Sequence, residues 1–213
     1  MISHHPSEAT LTAYGAGTLP EGLAMVVATH LGACPLCRGT VAVVQAMGGA
    51  LLAELPPAPM APAALERLFA RIQPPESAGP SGTTTGSTAT SCLKPELPPP
   101  LNQCTFGAWW PIGLGLRWRP MRVRGRAWAG LLRVEPGRAL WRHRHAGLEL
   151  TCVLRGSYTD GGLRFHPGDL AEPEAEVDHQ PVADNGGPCV CVVASEGVRL
   201  TGPRRLVQRL LGS

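Results

Sequence analysis

The feature that most constrains this chain is a spaced set of glycine, histidine and glutamate residues in its second half. Five residues separate Gly137 from His143, and one residue separates His143 from His145. Three residues then separate His145 from Glu149, and six separate Glu149 from Gly156. Alternate residues of a β-strand point to the same side, so His143 and His145 can face one interior together. Imidazole and carboxylate groups suit a divalent ion such as zinc, iron, manganese or nickel. The spacing therefore predicts a β-structure that encloses a metal ion.

The sequence around this motif favours many short strands. Alternating segments run from Trp128 to Val134, from Leu148 to Leu154 and from Cys189 to Val193, each bounded by Gly, Pro and Asp clusters. Short strands at this spacing are typical of a β-sandwich or a barrel. A second group of turn residues is formed by Gly161, Pro167, Gly168 and Asp169.

The amino-terminal third has helical patterns and no clear strand alternation. Ser7 can cap a first helix, and a second helix starts near Pro20. A third helix starts at Pro35 and runs to about Leu55, and a fourth carries the apolar residues Leu65, Leu68, Phe69 and Ile72. From residue 74 to residue 100 the chain is rich in Pro, Ser, Gly and Thr, which indicates a flexible linker. We expect a helical domain over residues 1–75, a linker over 76–103, a β-barrel over 104–200 and a tail over 201–213.

A second metal-binding pattern lies between the second and third predicted helices. His30, Cys34 and Cys37 are separated by three residues and by two residues. Two residues between cysteines let both sulfurs reach one zinc ion. A structural zinc site normally has four protein ligands, and the nearby candidates for the fourth are His4 and His5, of which we prefer His5. The alternatives are a chance cysteine pair and a thioredoxin-like redox pair, although no βαβ pattern surrounds it.

Composition favours a folded protein that does not bind nucleic acid directly. Hydrophobic residues make up 44% of the chain and charged residues 16%, and the net charge is only +3. No run approaches the roughly 20 apolar residues that cross a bilayer, and the amino end lacks a signal-peptide pattern. We therefore expect a cytoplasmic protein with no membrane partner. The seven cysteines are then expected to be reduced, so their spacing points first to metal or redox chemistry.

Both motifs resemble those of known families. His5, His30, Cys34 and Cys37, within "HLGACPLCRG" after "AYGAGTLPEG", are similar to the zinc-binding anti-sigma factors of extracytoplasmic-function sigma factors over about residues 1–75. The histidine–glutamate motif matches the first cupin motif, and the later turn residues match the second. The domain order resembles the ChrR-type anti-sigma factors over nearly the whole chain. The implied fold class is α+β multidomain, with a small all-α zinc-binding anti-sigma domain followed by an all-β cupin (double-stranded β-helix) domain.

The resemblance also implies a function. Two zinc ions would be held, one by His5, His30, Cys34 and Cys37, and the other by His143, His145, Glu149 and His179. The partner would be an RpoE-like sigma factor, which the helical domain keeps from RNA polymerase until singlet oxygen or organic peroxide acts through the cupin domain. No catalysis is needed. The alternatives are a metal-dependent cupin dioxygenase with an accessory zinc domain and a structural zinc module that recruits another partner.

The remaining cysteine and tryptophan residues carry weaker expectations. Cys189 and Cys191 lie two apart on a predicted strand, as small core residues or as a redox-sensitive pair near the barrel metal. We expect Cys152 in the core and Cys92 and Cys104 without a special role. Trp109 and Trp110 are expected to pack in the core.

Overall fold

The computed structural model describes residues 2–72, 97–175 and 177–200. The predicted linker up to residue 96, with Cys92, and the predicted tail over 201–213 lie outside these residues. Within them, residues 2–48 and 97–200 form one compact unit, and residues 49–72 belong to a second unit. The bounds of the four predicted segments stay a prediction.

Four helices form the amino-terminal part: α1 (Glu8–Gly15), α2 (Glu21–Ala33), α3 (Pro35–Ala53) and α4 (Ala64–Ile72). The Ser7 hydroxyl accepts a hydrogen bond from the Thr10 backbone N–H at 3.1 Å, which confirms the predicted cap of α1. Pro20 immediately precedes α2, and Pro35 opens α3 where its missing N–H is not needed. The predicted third helix is two residues longer at its carboxyl end than α3.

Within residues 97–175 and 177–200, eleven strands follow a short 3-10 turn at Leu101–Gln103. They are β1 (Trp110–Gly113), β2 (Leu116–Met121), β3 (Trp128–Val134), β4 (His143–His145), β5 (Glu149–Arg155), β6 (Tyr158–Asp160), β7 (Leu163–Phe165), β8 (Leu170–Ala171), β9 (Val182–Ala183), β10 (Cys189–Ser195) and β11 (Val198–Leu200). They form a six-stranded sheet in the order β1-β2-β3-β10-β5-β8, a pair β11-β4 and a three-stranded sheet β7-β6-β9. All pairings between these strands are antiparallel.

Helix α2 packs on one face of the six-stranded sheet. Leu23, Val26 and Val27 of α2 are fully buried in the same apolar cluster as Val192 of β10 and Leu150 of β5. Burying each such side chain contributes about 1.5–3 kcal/mol. This first cluster therefore joins the amino-terminal helices to the sheet.

The other face of the six-stranded sheet lines the interior of the barrel. In β10, Val192 and Ala194 belong to the cluster under α2, whereas Cys191 and Val193 belong to a second cluster with Tyr158 and other interior residues. This alternation follows the two-residue period of a strand. It places Cys189 and Cys191 of β10 on the face that lines the interior.

The expectation that Trp109 and Trp110 pack in the core is wrong. Their side chains are 38% and 62% exposed. Trp110 opens β1, which has a neighbour on only one side among the strands that the structure describes. Cys152 is buried, which confirms that prediction, and Cys104 is half-buried.

Helix α3 departs from the expectation that no segment approaches membrane-spanning length. Among the described residues it is a helix long and apolar enough to cross a membrane by length and composition, with a mean hydropathy of 1.4. Core helices of soluble proteins and signal sequences also reach this length and hydropathy. Only 11% of the apolar stretch of α3 is buried, so the helix leaves much of its apolar surface exposed.

Candidate metal centres

The first cluster, called site A, consists of His5, His30, Cys34 and Cys37. His5 lies in the extended segment before α1, His30 is in the last turn of α2, Cys34 separates α2 from α3, and Cys37 is in the first turn of α3. One ligand atom from each residue lies within 4.8 Å of the others. Site A therefore joins three segments that are separate in sequence.

The distances in site A fit a tetrahedral zinc ion. His5 Nδ1 lies 3.5 Å from Cys34 Sγ and 3.4 Å from Cys37 Sγ, and His30 Nε2 lies 3.3 Å from Cys37 Sγ. Zinc bonds of about 2.3 Å to sulfur and 2.0 Å to nitrogen place such atoms about 3.5 Å apart. His4 is not part of the cluster, because its ring packs against Phe165.

Hydrogen bonding and burial prepare His30 to bind a metal ion. Its Nδ1 lies 2.7 Å from the carbonyl oxygen of Gly168, so Nδ1 carries the proton and Nε2 keeps its lone pair for the metal. Burial lowers the pKa of His30, which keeps the ring neutral. Burial, together with the neighbouring Cys34 thiol, raises the pKa of Cys37 to about 12. A metal ion that binds here would therefore displace a proton from this thiol.

The second cluster, called site B, consists of His143, His145, Glu149 and His179. His143 and His145 lie on β4, and Glu149 opens β5. His179 pairs with His143 through an isolated antiparallel β-bridge. His179 Nε2 lies 2.7 Å from His145 Nε2 and 3.1 Å from His143 Nε2, and Glu149 Oε2 lies 2.9 Å from His145 Nδ1. Three convergent imidazole nitrogens cannot all be satisfied by protons between them, which fits a shared metal ion.

Two hydrogen bonds orient the histidines of site B. His179 Nδ1 donates to Asp160 Oδ2 at 2.5 Å, and His143 Nδ1 donates to the carbonyl oxygen of Trp141 at 2.7 Å. Each bond leaves Nε2 free to bind a metal. Burial also lowers the pKa of His143. Sequence reasoning missed Asp160, although its position directly before Gly161 of the second motif was a usable signal.

Site B lies in the wall of a large apolar cavity of about 1690 Å³. Other lining residues include Trp118, Trp128 and Leu132, and the two cysteines of β10 also line it. Cys189 and Cys191 are buried, with their sulfur atoms 3.6 Å apart. The hydrogen bond with Cys189, in which the Cys191 S–H donates, and burial raise the pKa of Cys191 well above its ordinary value, so this thiol is protonated. His166 is exposed and belongs to neither site.

Comparisons with known proteins agree with the order of a helical region followed by a cupin-like domain. The sequence profile of the ChrR cupin-like domain family matches residues 101–199. The anti-sigma-E factor ChrR of Cereibacter sphaeroides is 36% identical over 204 residues, covering 92% of this chain and 90% of the relative. A crystal structure of Rhodobacter sphaeroides SigE in complex with the anti-sigma ChrR matches with a TM-score of 0.77 and 35% identity, covering 92% of this chain and 99% of that chain.

One solved structure outside this group resembles only part of the chain and carries no argument. KdgF from Halomonas is 19% identical with a TM-score of 0.38, covering 43% of this chain and 87% of that chain. The matches to the ChrR cupin-like domain, to the relative from Cereibacter sphaeroides and to the SigE–ChrR complex confirm the predicted resemblance and the predicted fold class. An anti-sigma factor is a regulator and not an enzyme, as the sequence analysis expected. The chain belongs to the ChrR family of anti-sigma factors.

Proposed function

We propose that this protein binds an extracytoplasmic-function sigma factor of the SigE (RpoE-like) type and prevents it from binding RNA polymerase. The observation that carries the proposal is the exposed apolar surface of α3 and α4, in a chain whose relative was crystallised with SigE. Because sigma factors act with RNA polymerase, the place of action would be the cytoplasm, with no direct contact to nucleic acid and no membrane partner.

Helix α3 has an apolar stripe that a partner would cover. Leu36, Val43, Met47 and Leu51 are each more than 60% exposed. Their spacing of seven, four and four residues places them along one side of the helix. Monomeric proteins rarely leave a contiguous apolar surface of this kind uncovered, so the stripe supports an interface.

Helix α4 has a second apolar face. Leu65, Leu68, Phe69 and Ile72 follow the helical spacing of three, one and three residues, and each is more than half exposed. Its remaining positions include Glu66, Arg67 and Arg71. An amphipathic helix of this kind can lay its apolar side into a groove of a partner protein.

We further propose that zinc occupies both sites. In site A, His5, His30, Cys34 and Cys37 would bind zinc and hold α2, α3 and the amino-terminal segment in the shape that the sigma factor recognises. In site B, His143, His145, Glu149 and His179 would bind the second ion. Short helices bury little surface, so metal binding at site A would be coupled to the folding of this region.

Release of the sigma factor would be triggered through the cupin domain by singlet oxygen or organic peroxide. Zinc does not change its redox state, so an oxidant would act on metal ligands or on nearby thiols. Cys189 and Cys191 are the candidate redox-sensitive pair because they line the same cavity as site B. Their double alanine variant should retain sigma binding and release the sigma factor more slowly under organic peroxide.

The test of sigma binding uses the full chain, coexpressed with the SigE-type sigma factor of the same genome. We expect a stable complex by size exclusion, and loss of transcription by RNA polymerase that contains this sigma factor. The double variant Leu68→Ser, Phe69→Ser should weaken the complex at least about tenfold, since buried interface residues of this kind contribute more than about 1 kcal/mol each. Leu114→Ser is the control, because Leu114 is 84% exposed on the barrel. Absence of a complex with the unaltered chain would refute the proposal.

A further inference from the structure

We infer that a short barrel segment, residues 168–172, positions the ligands of site A, so that metal retention in the helical region depends on the cupin domain. This support segment contains β8 and part of the second motif, PGD. The inference rests on the proposal that site A holds zinc. It assigns Gly168, Asp169 and Glu172 as positioning residues, none of which is a metal ligand.

Gly168 orients His30 directly. Its carbonyl oxygen accepts the hydrogen bond from His30 Nδ1, and its N–H donates to the Val153 carbonyl at 2.9 Å. Its φ of +92° favours glycine, and an added Cβ would lie 3.0 Å from Ile2 Cδ1 and 3.4 Å from Ala33 Cβ. A side chain here would therefore strain the backbone of the support segment and crowd Ile2 of the amino-terminal segment.

Asp169 fixes the backbone just before His5. Its fully buried carboxylate accepts hydrogen bonds from the Ser3 N–H at 2.8 Å and the His4 N–H at 3.1 Å through Oδ1. Its Oδ2 accepts from the His166 N–H at 2.8 Å. The carbonyl of His4 in turn accepts from the Leu170 N–H at 3.1 Å. Both backbone polar groups of His4 are thus bonded to the support segment.

Glu172 fixes the chain just after His5. Its Oε2 accepts from the Ser7 N–H at 2.8 Å, and its Oε1 accepts from the hydroxyls of Ser7 and Thr10, each at 2.9 Å. His5 is therefore held on both sides by one barrel segment, while His30 is held by a third member of that segment. Two of the four ligands of site A owe their placement to the barrel.

The support segment is itself fixed by the sheet. Strand β8 pairs with β5 through Cys152↔Leu170 and Thr151↔Ala171. Strand β5 opens at Glu149, a member of site B. One strand thus contributes a candidate ligand to site B and anchors the segment that supports site A.

Groups that orient metal ligands without touching the metal usually change metal affinity by about 10- to 100-fold when they are altered. We therefore expect Asp169→Asn to release the metal of site A about tenfold faster than the unaltered chain. Both carboxylate oxygens of Asp169 accept hydrogen bonds from backbone N–H groups. In the asparagine variant an NH₂ group replaces one of these oxygens, so at least one backbone N–H loses its acceptor. Glu172→Gln should have a smaller effect in the same direction.

The experiment loads the full-length protein with cobalt(II) and follows its transfer to a chelator by stopped-flow absorbance. Only site A contains cysteine among the two candidate sites, so only cobalt in site A gives the thiolate-to-cobalt charge-transfer band. Glu174→Gln is the control for Asp169→Asn and Glu172→Gln, because Glu174 is an exposed carboxylate two residues beyond the support segment. Gly162→Ala is the control for Gly168→Ala, because Gly162 has a φ of +82° and nothing within 4 Å of an added Cβ.

We expect Asp169→Asn and Gly168→Ala to shift the charge-transfer band and to speed its loss about tenfold, while both controls match the unaltered chain. Loss rates equal to the controls, in variants whose circular dichroism is unchanged, would overturn the inference. If Asp169→Asn does not fold, Glu172→Gln and Gly168→Ala decide the question. A charge-transfer band that survives in the double variant Cys34→Ala, Cys37→Ala would instead refute metal binding at site A itself.

Discussion

Replacing Asp160 with asparagine should weaken metal binding at site B about tenfold. The carboxylate of Asp160 accepts the hydrogen bond from His179 Nδ1 at 2.5 Å and so holds the imidazole in the tautomer with a free Nε2. Asparagine keeps one acceptor oxygen but loses the negative charge. Its amide can also donate to Nδ1, which stabilises the tautomer in which Nε2 carries a proton and cannot bind a metal.

The magnitude follows from the strength of the hydrogen bond that is altered. A charge-assisted hydrogen bond is roughly twice as strong as a neutral one. A net loss of about 1.4 kcal/mol corresponds to a tenfold change in the dissociation constant. This is the lower end of the roughly 10- to 100-fold effect of altering a group that orients a metal ligand, and Asp160→Ala should lie nearer the upper end.

The assay is a zinc titration of the full chain against a competing chelator, with the metal content measured after each equilibration. We expect a tenfold weaker site B in Asp160→Asn and an unchanged site A. Asp178→Asn is the control, because Asp178 is an exposed neighbour of His179 in sequence and should leave both affinities unchanged. An affinity in Asp160→Asn equal to that in Asp178→Asn would refute the role assigned to Asp160.

Two further predictions concern packing and protonation. Leu23→Ala should lower the free energy of unfolding by about 3 kcal/mol and Tm by roughly 10 °C, because Leu23 is fully buried between α2 and the sheet. Leu36→Ala is the control, because Leu36 is 67% exposed, and it should change the free energy of unfolding by less than about 0.5 kcal/mol. Equal melting of the zinc-loaded variants would contradict the packing. The zinc affinity of site A should rise with pH from 6 to 8, about tenfold per pH unit for each thiol proton displaced, because the pKa of Cys37 is raised to about 12 without metal. A chelator competition that shows no pH dependence would contradict this protonation state.

The sequence was most informative where spacing follows from the geometry of one element. The two-residue period of a strand anticipated that His143 and His145 point the same way, and β3 begins and ends where the alternation of its residues indicated. Helix caps were readable for the same reason, because Ser7 and Pro20 act on the turn directly beside them. These features depend on neighbours in sequence.

Contacts between distant segments could not be read in this way. Asp169 is fully buried against Ser3 and His4, more than 160 residues away in sequence, and nothing near Asp169 in the chain indicates that partner. The packing of α2 on the six-stranded sheet is another case, since an apolar helix face does not identify what it covers. Trp110 was mispredicted because it lies on β1, at the edge of the described sheet, where its side chain stays exposed. The place of a strand in a sheet depends on long-range pairing, which the local sequence does not reveal.

The central claim is that a metal ion at site A holds the amino-terminal helices in the form that binds a sigma factor. The most direct measurement removes zinc from the purified complex of the full chain and its sigma factor, then follows complex size and helix content. We expect the complex to dissociate, helical circular dichroism to fall, and both to return when zinc is added back. A zinc-free protein that stays fully helical and keeps its sigma factor would contradict the claim.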